Sequence, residues 1–448
     1  MTEHDRRTFL KLSGTVLGGI AVGSTVVAGT RTDRHIVETK GRRTPEGFEV
    51  VHEMPGVKFS VVRAEASELA SSKAVKNHAP DLEIRLNAPD VNESVPAFDA
   101  DEYEGQPGDF LQWDKDDLNV PEAHETTEGE GTRVSVIDSG VLETHPDLAG
   151  PLNLDLSRNF TDDGGDHNPV GGDDHGTHVA GIVAADNGGG AGVNGTAPKT
   201  DLVDCRVFSG AQASFADILA AVVYSANVDA DVANLSLGAY PVPRQGEGDF
   251  YGKVLNSTMT YANREGTLLV VAAGNDSADL QHDGGVISLP NEGAQALSVA
   301  ATGPRGYGWD ADGDGETTDL VAPPESPAFY TNYGTNAITL AAPGGDAVQK
   351  VIGTGVPWFN DLVFNTVFEY VDTDGDGEPD TRVPGYGWKA GTSMAAPNVA
   401  GAAALVKSTN PNYNANQIES ALKRAASVPD GYDKAYYGAG YLDVVDAL

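Results

Sequence analysis

The chain has 448 residues, with 66 aspartates and glutamates against 29 lysines and arginines, so its formal charge is −37. This charge argues against nucleic acid as a partner, because phosphate binding needs lysine and arginine, and against anionic membrane surfaces. The hydrophobic fraction of 40% is enough for a folded core. Salt would relieve the self-repulsion of such a chain, which predicts a protein adapted to high salt. The alternative is an ordinary acidic secreted protein.

Residues 1–30 are predicted to be a twin-arginine export signal. Arg6 and Arg7 stand in the order Arg-Arg-Thr-Phe-Leu-Lys, and a weakly apolar, glycine-rich stretch follows to Ala28. That stretch is too short and too rich in glycine for a membrane span. Twin-arginine export carries folded proteins, so we expect a secreted protein with no membrane association once the signal is removed.

Residues 33–100 are predicted to form a small α+β unit. Alternation of apolar and polar residues predicts strands at 48–53, 57–63 and 82–86, and a helix is predicted at 64–70. A connector over residues 101–118 follows. From residue 119 to 448, short apolar strands such as 133–137 and 268–273 alternate with helical patterns. Near-continuous apolar strands are typical of a mostly parallel sheet that is covered on both faces, so this part is predicted to be α/β.

Four segments place polar side chains at the ends of predicted strands and helices. Asp138 ends a buried strand in Val-Ile-Asp-Ser-Gly, and Asn275 follows another in Ala-Ala-Gly-Asn. His175 begins an apolar helix, and Ser393 stands at a helix start in Gly-Thr-Ser-Met-Ala. A serine hydroxyl is a poor nucleophile unless an imidazole takes its proton and a carboxylate orients that imidazole. A side-chain amide is a neutral hydrogen-bond donor that can stabilise an oxyanion. The four segments together therefore predict nucleophilic catalysis, although each segment alone could be structural.

These segments resemble those of the subtilisin-like serine proteases (subtilases), especially the acidic halolysin-like members, from Gln112 to Leu448. The resemblance implies a three-layer fold with a mostly parallel central sheet for residues 119–448. It also implies that Asp138 orients the imidazole, that His175 is the general base and that Ser393 is the nucleophile. The side chain of Asn275, with the backbone N–H of Ser393, would form the oxyanion hole of a serine endopeptidase.

The same resemblance implies that residues 33–100 form a ferredoxin-like propeptide, which assists folding and then inhibits the cleft as an intramolecular partner. The connector over residues 101–118 would carry the maturation cleavage, which we expect between Pro96 and Asp109.

Substrate contacts are implied by the resemblance of three further stretches. One wall of the primary specificity pocket would come from Ser236, Leu237 and Gly238, and the other from Ala273 and Gly274. Ser288 would lie at the pocket floor. No strong charge is evident in these stretches, so we expect broad specificity with an apolar or aromatic preference. The alternative for Ser236 and Gly238 is plain packing.

Structural Ca²⁺ is the expected cofactor. Asp147 matches a calcium ligand of many subtilases, but the partner loop at 187–193 is rich in glycine. Two acidic insertions resemble calcium loops, because alternating carboxylates followed by glycine suit a cation that takes six to eight oxygens. Their candidate ligands are Asp310, Asp312 and Asp314 in the first insertion, and Asp372, Asp374, Asp376 and Asp380 in the second. The alternative is a pair of solvated acidic loops.

Two other reactive side chains are predicted to be structural. Cys205 is the single cysteine, so no intramolecular disulfide can form, and its strand-like surroundings predict a buried thiol. His178 repeats a metal-like His-x-x-His spacing with His175, but no third ligand motif lies nearby.

The leading interpretation is a secreted, monomeric serine endopeptidase that acts on proteins and peptides. Two alternatives stay open. The enzyme could be dedicated to the maturation of specific exported proteins, or the chain could be a non-catalytic, calcium-binding surface scaffold.

Overall fold

The computed structural model describes residues 27–41, 46–85, 88–99, 106–190, 192–244, 248–313, 317 and 319–448. The predicted twin-arginine motif therefore lies outside the described residues. Within the described part of the chain, we find no helix both long enough and apolar enough to cross a lipid bilayer.

The strands, in chain order, are β1 (Val27–Thr39), β2 (Glu49–Glu53), β3 (Phe59–Arg63), β4 (Val75–Arg85), β5 (Arg133–Asp138), β6 (Arg158–Asn159), β7 (Asp201–Arg206), β8 (Phe208–Ser209), β9 (Gln212–Ser214), β10 (Val232–Leu235), β11 (Ala239–Pro243), β12 (Leu268–Ala272), β13 (Val286–Leu289), β14 (Ala296–Thr302), β15 (Leu340–Pro343), β16 (Val363–Val371) and β17 (Thr381–Lys389). The α-helices are α1 (Ala66–Ser71), α2 (Trp113–Asp117), α3 (Val120–His124), α4 (His175–Ala184), α5 (Phe215–Asn227), α6 (Gly248–Glu265), α7 (Thr392–Thr409), α8 (Ala415–Ala425) and α9 (Lys434–Tyr437).

A seven-stranded parallel sheet forms the centre of the C-terminal unit, residues 106–448. Its strand order is β15-β14-β12-β10-β5-β7-β6. Strands β5 and β12 both flank β10, so that Val134 and Leu268 lie beside Val232. The carboxyl ends of these parallel strands meet at one edge of the sheet, where open α/β sheets place their ligands.

Apolar side chains leave both faces of this sheet. Along β12, Leu268 and Val270 pack into the core shared with α4 and α7, while Leu269 and Val271 pack into the core shared with α5 and α6. Because successive strand residues point to opposite faces, a continuous apolar run covers both layers. The expected three-layer α/β architecture is confirmed.

The N-terminal unit, residues 27–85, is an antiparallel sheet in the order β2-β3-β1-β4, with α1 between β3 and β4. This strand order matches a ferredoxin-like arrangement, but a single α-helix occurs in the described part of this unit. Strand β1 was not predicted from the sequence, and β4 begins well before the predicted third strand. Strand β4 also pairs with β9, so the sheet continues into the C-terminal unit through β9 and β8.

Candidate active site

The site begins with Asp138, the last residue of β5, which is fully buried. One of its carboxylate oxygens accepts hydrogen bonds from the backbone N–H of Ser139 and from Nδ1 of His175, each at 2.7 Å. The end of a central strand therefore fixes the carboxylate against the imidazole. This contact leaves Nε2 as the ring nitrogen of His175 that is able to act as a base.

His175 is the first residue of α4, and close packing sets its position. The backbone N–H of Gly176 donates to the hydroxyl of Ser139 at 2.9 Å. A side chain at position 176 would place its Cβ only 2.5 Å from the carbonyl oxygen of Gly140, so glycine is required there. The start of α4 is thereby held against the loop that carries Asp138.

The charge of Asp138 controls the protonation of His175. Burial by itself lowers the pKa of the imidazole, but the charge of Asp138 and its hydrogen bond outweigh burial and raise the pKa above the ordinary value of 6.5. The carboxylate of Asp173 raises the pKa further, whereas Lys389 opposes the increase. An imidazolium formed during a reaction would therefore be stabilised.

Ser393 is the second residue of α7, which packs against α4. Its hydroxyl donates to the carbonyl oxygen of Ser236 at 3.2 Å, and its own carbonyl oxygen accepts from the hydroxyl of Ser236 at 2.8 Å. Among the residues that the structure describes, no hydrogen bond joins the Ser393 hydroxyl to His175. Catalytic hydrogen bonds are often long or misaligned without substrate, and a change of the serine rotamer redirects its hydroxyl.

Asn275 follows β12 and is hydrogen-bonded to the residue before Ser393. Its amide oxygen accepts from the backbone N–H and from the hydroxyl of Thr392, each at 2.9 Å. The hydroxyl of Thr392 also accepts from the backbone N–H of Gly274 at 3.1 Å. These bonds orient the amide so that its nitrogen side lies beside the start of α7, where the helix dipole favours negative charge.

A cleft beside Ser393 contains most of the predicted substrate contacts. Its lining residues are Ser236, Leu237, Gly238, Ala239, Tyr240, Ala272, Gly274, Asn275, Asp276, Ser288, Thr392 and Ser393. Ala273 is instead fully buried and packs against Ala300 and Ile338 beneath this wall. Ser288 is buried, and its backbone N–H donates to Glu292 at 2.6 Å.

Sequence reasoning missed five residues of this cleft, Ala239, Tyr240, Ala272, Asp276 and Thr392. Asp276 matters most, because it brings a carboxylate to a pocket that was expected to be free of strong charge. The backbone N–H of Asp276 donates to Asn332 at 2.9 Å, and the amide of Asn332 donates to its carboxylate at 3.2 Å. Its position directly after Asn275 was the sequence signal that could have found it.

Comparison with known proteins identifies the family. A sequence profile described as the subtilase family matches residues 129–440. The chain belongs to the subtilase family. This subtilase is 30% identical over 328 residues to a thermophilic serine proteinase of Bacillus sp. (strain AK1), an alignment that covers 73% of this chain and 64% of that relative. It is 26% identical to halolysin of Haloferax mediterranei, with 100% of this chain and 76% of halolysin aligned.

Solved structures show the same fold. A protease from Pseudoalteromonas arctica superimposes with a TM-score of 0.56 and 28% identity, covering 75% of this chain and 96% of that one. The epidermin leader peptide processing protease of Staphylococcus aureus gives a TM-score of 0.69 over 92% of this subtilase and 97% of that chain. At 22% identity, that second likeness concerns the fold alone.

The second acidic insertion forms the tip of the hairpin β16–β17. Carboxylate oxygens of Asp372, Asp374 and Asp376 lie within 4.8 Å of one another, which suits a cation with oxygen ligands. Asp380 accepts hydrogen bonds from the Thr373 hydroxyl at 2.8 Å and 3.0 Å. Asp380 is not part of this group of three carboxylates.

The other candidate calcium ligands are placed differently. The carboxylate of Asp310 accepts from the backbone N–H of Gly313 at 2.7 Å, while Asp312 lies nearby in this loop and Asp314 lies outside the described residues. Asp147 is buried, and its two oxygens accept from the backbone N–H of Val193 at 2.9 Å and from the hydroxyl of Tyr386 at 3.2 Å. Each carboxylate oxygen of Asp147 therefore has a protein donor.

The structure places the two remaining sequence candidates in the interior. His178 is fully buried, and one ring nitrogen lies 3.2 Å from the carbonyl oxygen of Val363. Burial lowers its pKa well below the ordinary value. Cys205 is also fully buried, and burial raises the pKa of its thiol, which makes it a poor nucleophile.

Proposed function

We propose that this subtilase is an exported, salt-adapted serine endopeptidase that hydrolyses peptide bonds of proteins. The observation that carries the proposal is the 2.7 Å contact between Asp138 and Nδ1 of His175 beside the helix that begins at Thr392 and carries Ser393. The export proposal draws on the twin-arginine motif, and the proposed salt adaptation draws on the formal charge of −37.

In the proposed reaction, the Ser393 hydroxyl turns from Ser236 towards Nε2 of His175. The imidazole takes the proton as Oγ bonds to the peptide carbonyl carbon, and the resulting oxyanion is stabilised by Asn275 and by the N–H of Ser393. Collapse of this intermediate breaks the C–N bond, and His175 returns its proton to the leaving amine. Water then hydrolyses the acyl-enzyme with His175 again acting as base.

Replacement of the nucleophile tests this function. Ser393→Ala should abolish hydrolysis of casein and of a chromogenic peptide, because Cys205 is buried and offers no substitute nucleophile. Asn275→Ala should retain weak activity, since loss of the corresponding amide costs subtilisin itself about 10²–10³-fold in kcat. Undiminished hydrolysis by the Ser393→Ala protein would refute the proposal. A comparison of casein with single native proteins as substrates distinguishes general digestion from dedicated maturation. Hydrolysis of casein to a mixture of fragments indicates general digestion, whereas cleavage confined to a single native protein indicates dedicated maturation.

We further propose that the primary pocket accepts basic side chains as well as apolar and aromatic ones. Leu237, Ala239 and Tyr240 supply apolar surface, while the carboxylate of Asp276 would attract a cation at the P1 position. Asp276→Asn should lower kcat/KM for P1 lysine relative to P1 phenylalanine, by about 10-fold at low ionic strength and less in high salt, because salt screens exposed charges. Equal ratios for the two proteins would contradict this role.

We propose that the N-terminal unit is a propeptide that docks on the C-terminal unit. Arg34 is fully buried between Asp81 of its own unit, at 3.3 Å, and Asp217 of α5. The carboxylate of Asp81 also accepts from the backbone N–H of Ala216 at 3.0 Å and from the hydroxyl of Ser214. If the proposal is right, wild-type protein loses this unit on maturation, while the Ser393→Ala protein keeps it.

We propose structural Ca²⁺ at the β16–β17 tip, held by Asp372, Asp374 and Asp376. The hairpin contacts the helix of the catalytic base, because the Thr366 hydroxyl donates to the carbonyl of Thr177 at 2.8 Å. A cation bound at the tip would neutralise three close carboxylates and so stabilise the hairpin.

A further inference from the structure

Residues 88–99, which we call the arm, connect the two units and pack into the core of the C-terminal unit. Val91 is buried at 3% exposure in the core that contains α4 and α7, and Val95 and Phe98 pack against the same core. Apolar residues of the N-terminal unit belong instead to the core around α5 and to a small core of their own. The arm is therefore part of the C-terminal unit by its packing.

The side chain of Asn92 holds the backbone three residues before the nucleophile. Its amide nitrogen donates to the carbonyl oxygen of Ala390 at 2.8 Å, and its amide oxygen accepts from the N–H of Ala390 at 2.8 Å. Both backbone groups of Ala390 are thus satisfied by one side chain that is 298 positions away in sequence. Because the two bonds form a ring, they fix both the position and the orientation of this peptide segment.

Each residue from Ala390 to Ser393 has a separate hydrogen-bond partner. Asn92 holds Ala390, and the N–H of Gly391 donates to Gly344 at 2.9 Å. Asn275 holds Thr392, as described above, and Ser236 holds Ser393. Asn92 is the member of this set that the arm supplies.

Phe98 strengthens the same attachment from the other end of the arm. Its ring lies 5.0 Å from Phe364 and 5.6 Å from Trp388, measured between ring centroids. These rings belong to β16 and β17, and β17 leads directly into Ala390. Edge-to-face aromatic contacts at such distances are favourable beyond the area that they bury.

We infer that Asn92 is a positioning residue for the turn that carries Ser393, and that the arm stays with the mature peptidase. This inference rests on the proposed function. Removal of the arm would leave the N–H and C=O of Ala390 without their partners and would uncover the core around Val91, both of which are unfavourable. Maturation should therefore hydrolyse a peptide bond on the N-terminal side of Asn92, with uptake of one water, rather than a bond between Pro96 and Asp109.

The first test is the mass and N-terminal sequence of the matured wild-type protein in high salt. We expect an active enzyme whose N-terminus lies at or before Asn92. An active enzyme that begins after Asn92 would overturn the inference while leaving the proposed function intact. A protein that neither hydrolyses peptides nor reacts with a phosphonyl fluoride would instead remove the proposed function.

The second test compares Asn92→Ala with Ser94→Ala, a matched control at an exposed position of the arm. We expect Asn92→Ala to lower kcat and the rate of phosphonylation of Ser393 by about 10-fold, with KM changed by less than about two-fold, because two hydrogen bonds that orient the nucleophile are lost. Ser94→Ala should match the wild type. A lower thermal midpoint for Asn92→Ala with unchanged kcat would show a merely structural role and overturn the inference.

Discussion

At the scale of single residues, the bond between His175 and Asp138 sets the pH range in which this site can work. In the proposed reaction, His175 must be neutral to accept the proton of Ser393, and Asp138 raises the pKa of His175. Activity should therefore fall as the pH drops through this raised pKa, at a higher pH than for a free imidazole.

Asp138→Asn tests this assignment. The amide cannot stabilise the imidazolium, so kcat should fall by about 10⁴-fold. Without the charge of Asp138, burial dominates and lowers the pKa of His175, so the acidic limb of the kcat/KM profile should move to lower pH. The measurement is peptide hydrolysis from pH 5 to 9, with Asp155→Asn as an exposed control. An acidic limb that stays in place would contradict the assignment.

The positions of the four candidate catalytic side chains could be predicted from the sequence. Asp138 and Asn275 follow apolar strands, and His175 and Ser393 begin helices, so local patterns indicated that these four side chains lie near element ends. Asn92 could not be found in this way, and Asp276 is indicated only by its position directly after Asn275. Their roles depend on contacts with the cleft and with Ala390, which only the folded chain brings within reach.

At the scale of elements, the contact between the N-terminal sheet and α5 depends on a buried arginine. Arg34→Met in the Ser393→Ala background should destabilise the precursor by about 3–5 kcal/mol, because Asp81 and Asp217 would lose their buried counter-charge. Denaturant unfolding in high salt measures the loss. The control Arg31→Met removes a partly exposed pair with Asp162 and should cost no more than about 1 kcal/mol. Equal losses for the two variants would show that burial of Arg34 is not decisive.

The β16–β17 tip makes a separate prediction about calcium. Titration calorimetry on the Ser393→Ala protein should detect binding, and Asp374→Asn combined with Asp376→Asn should abolish it, because two of three clustered carboxylates are lost. The matched pair Asp310→Asn with Asp312→Asn, in the other acidic loop, should leave this binding intact. Binding that survives the first pair of substitutions would place calcium elsewhere.

Elements were predictable where their pattern is local. Strands β5 and β12 are continuous apolar runs and appear where expected. From the sequence, the region of the hairpin β16–β17 is predicted only to be an acidic insertion. Its aromatic side chains pack against α4 and the arm, so its sequence does not show a simple alternation of apolar and polar residues. The pairing of β4 with β9 joins residues more than a hundred positions apart, so no local pattern could indicate it.

At the scale of the whole molecule, charge is distributed very unevenly. Residues 1–99 contain 14 acidic and 13 basic side chains, whereas residues 100–448 contain 52 acidic and 16 basic ones. The self-repulsion therefore belongs almost wholly to the C-terminal unit and will weaken its compact state wherever salt does not screen it.

Dialysis of the mature protein tests this charge argument. We expect the unfolding midpoint to rise steadily between about 0.1 M and about 3 M KCl, over which the Debye length shrinks from about 10 Å to less than 3 Å. Circular dichroism at each salt concentration gives the midpoint. A midpoint that is the same in millimolar and molar salt would contradict the proposed salt adaptation.

The proposed function depends above all on Ser393 being an activated nucleophile, which covalent labelling can reveal. Wild-type protein in high salt is treated with a serine-directed phosphonyl fluoride, digested and mapped by mass spectrometry, alongside a His175→Ala protein. We expect one adduct, on Ser393, that forms rapidly in the wild type and very slowly without the imidazole. Absence of an adduct on Ser393, or labelling at the same rate without His175, would contradict the proposed function.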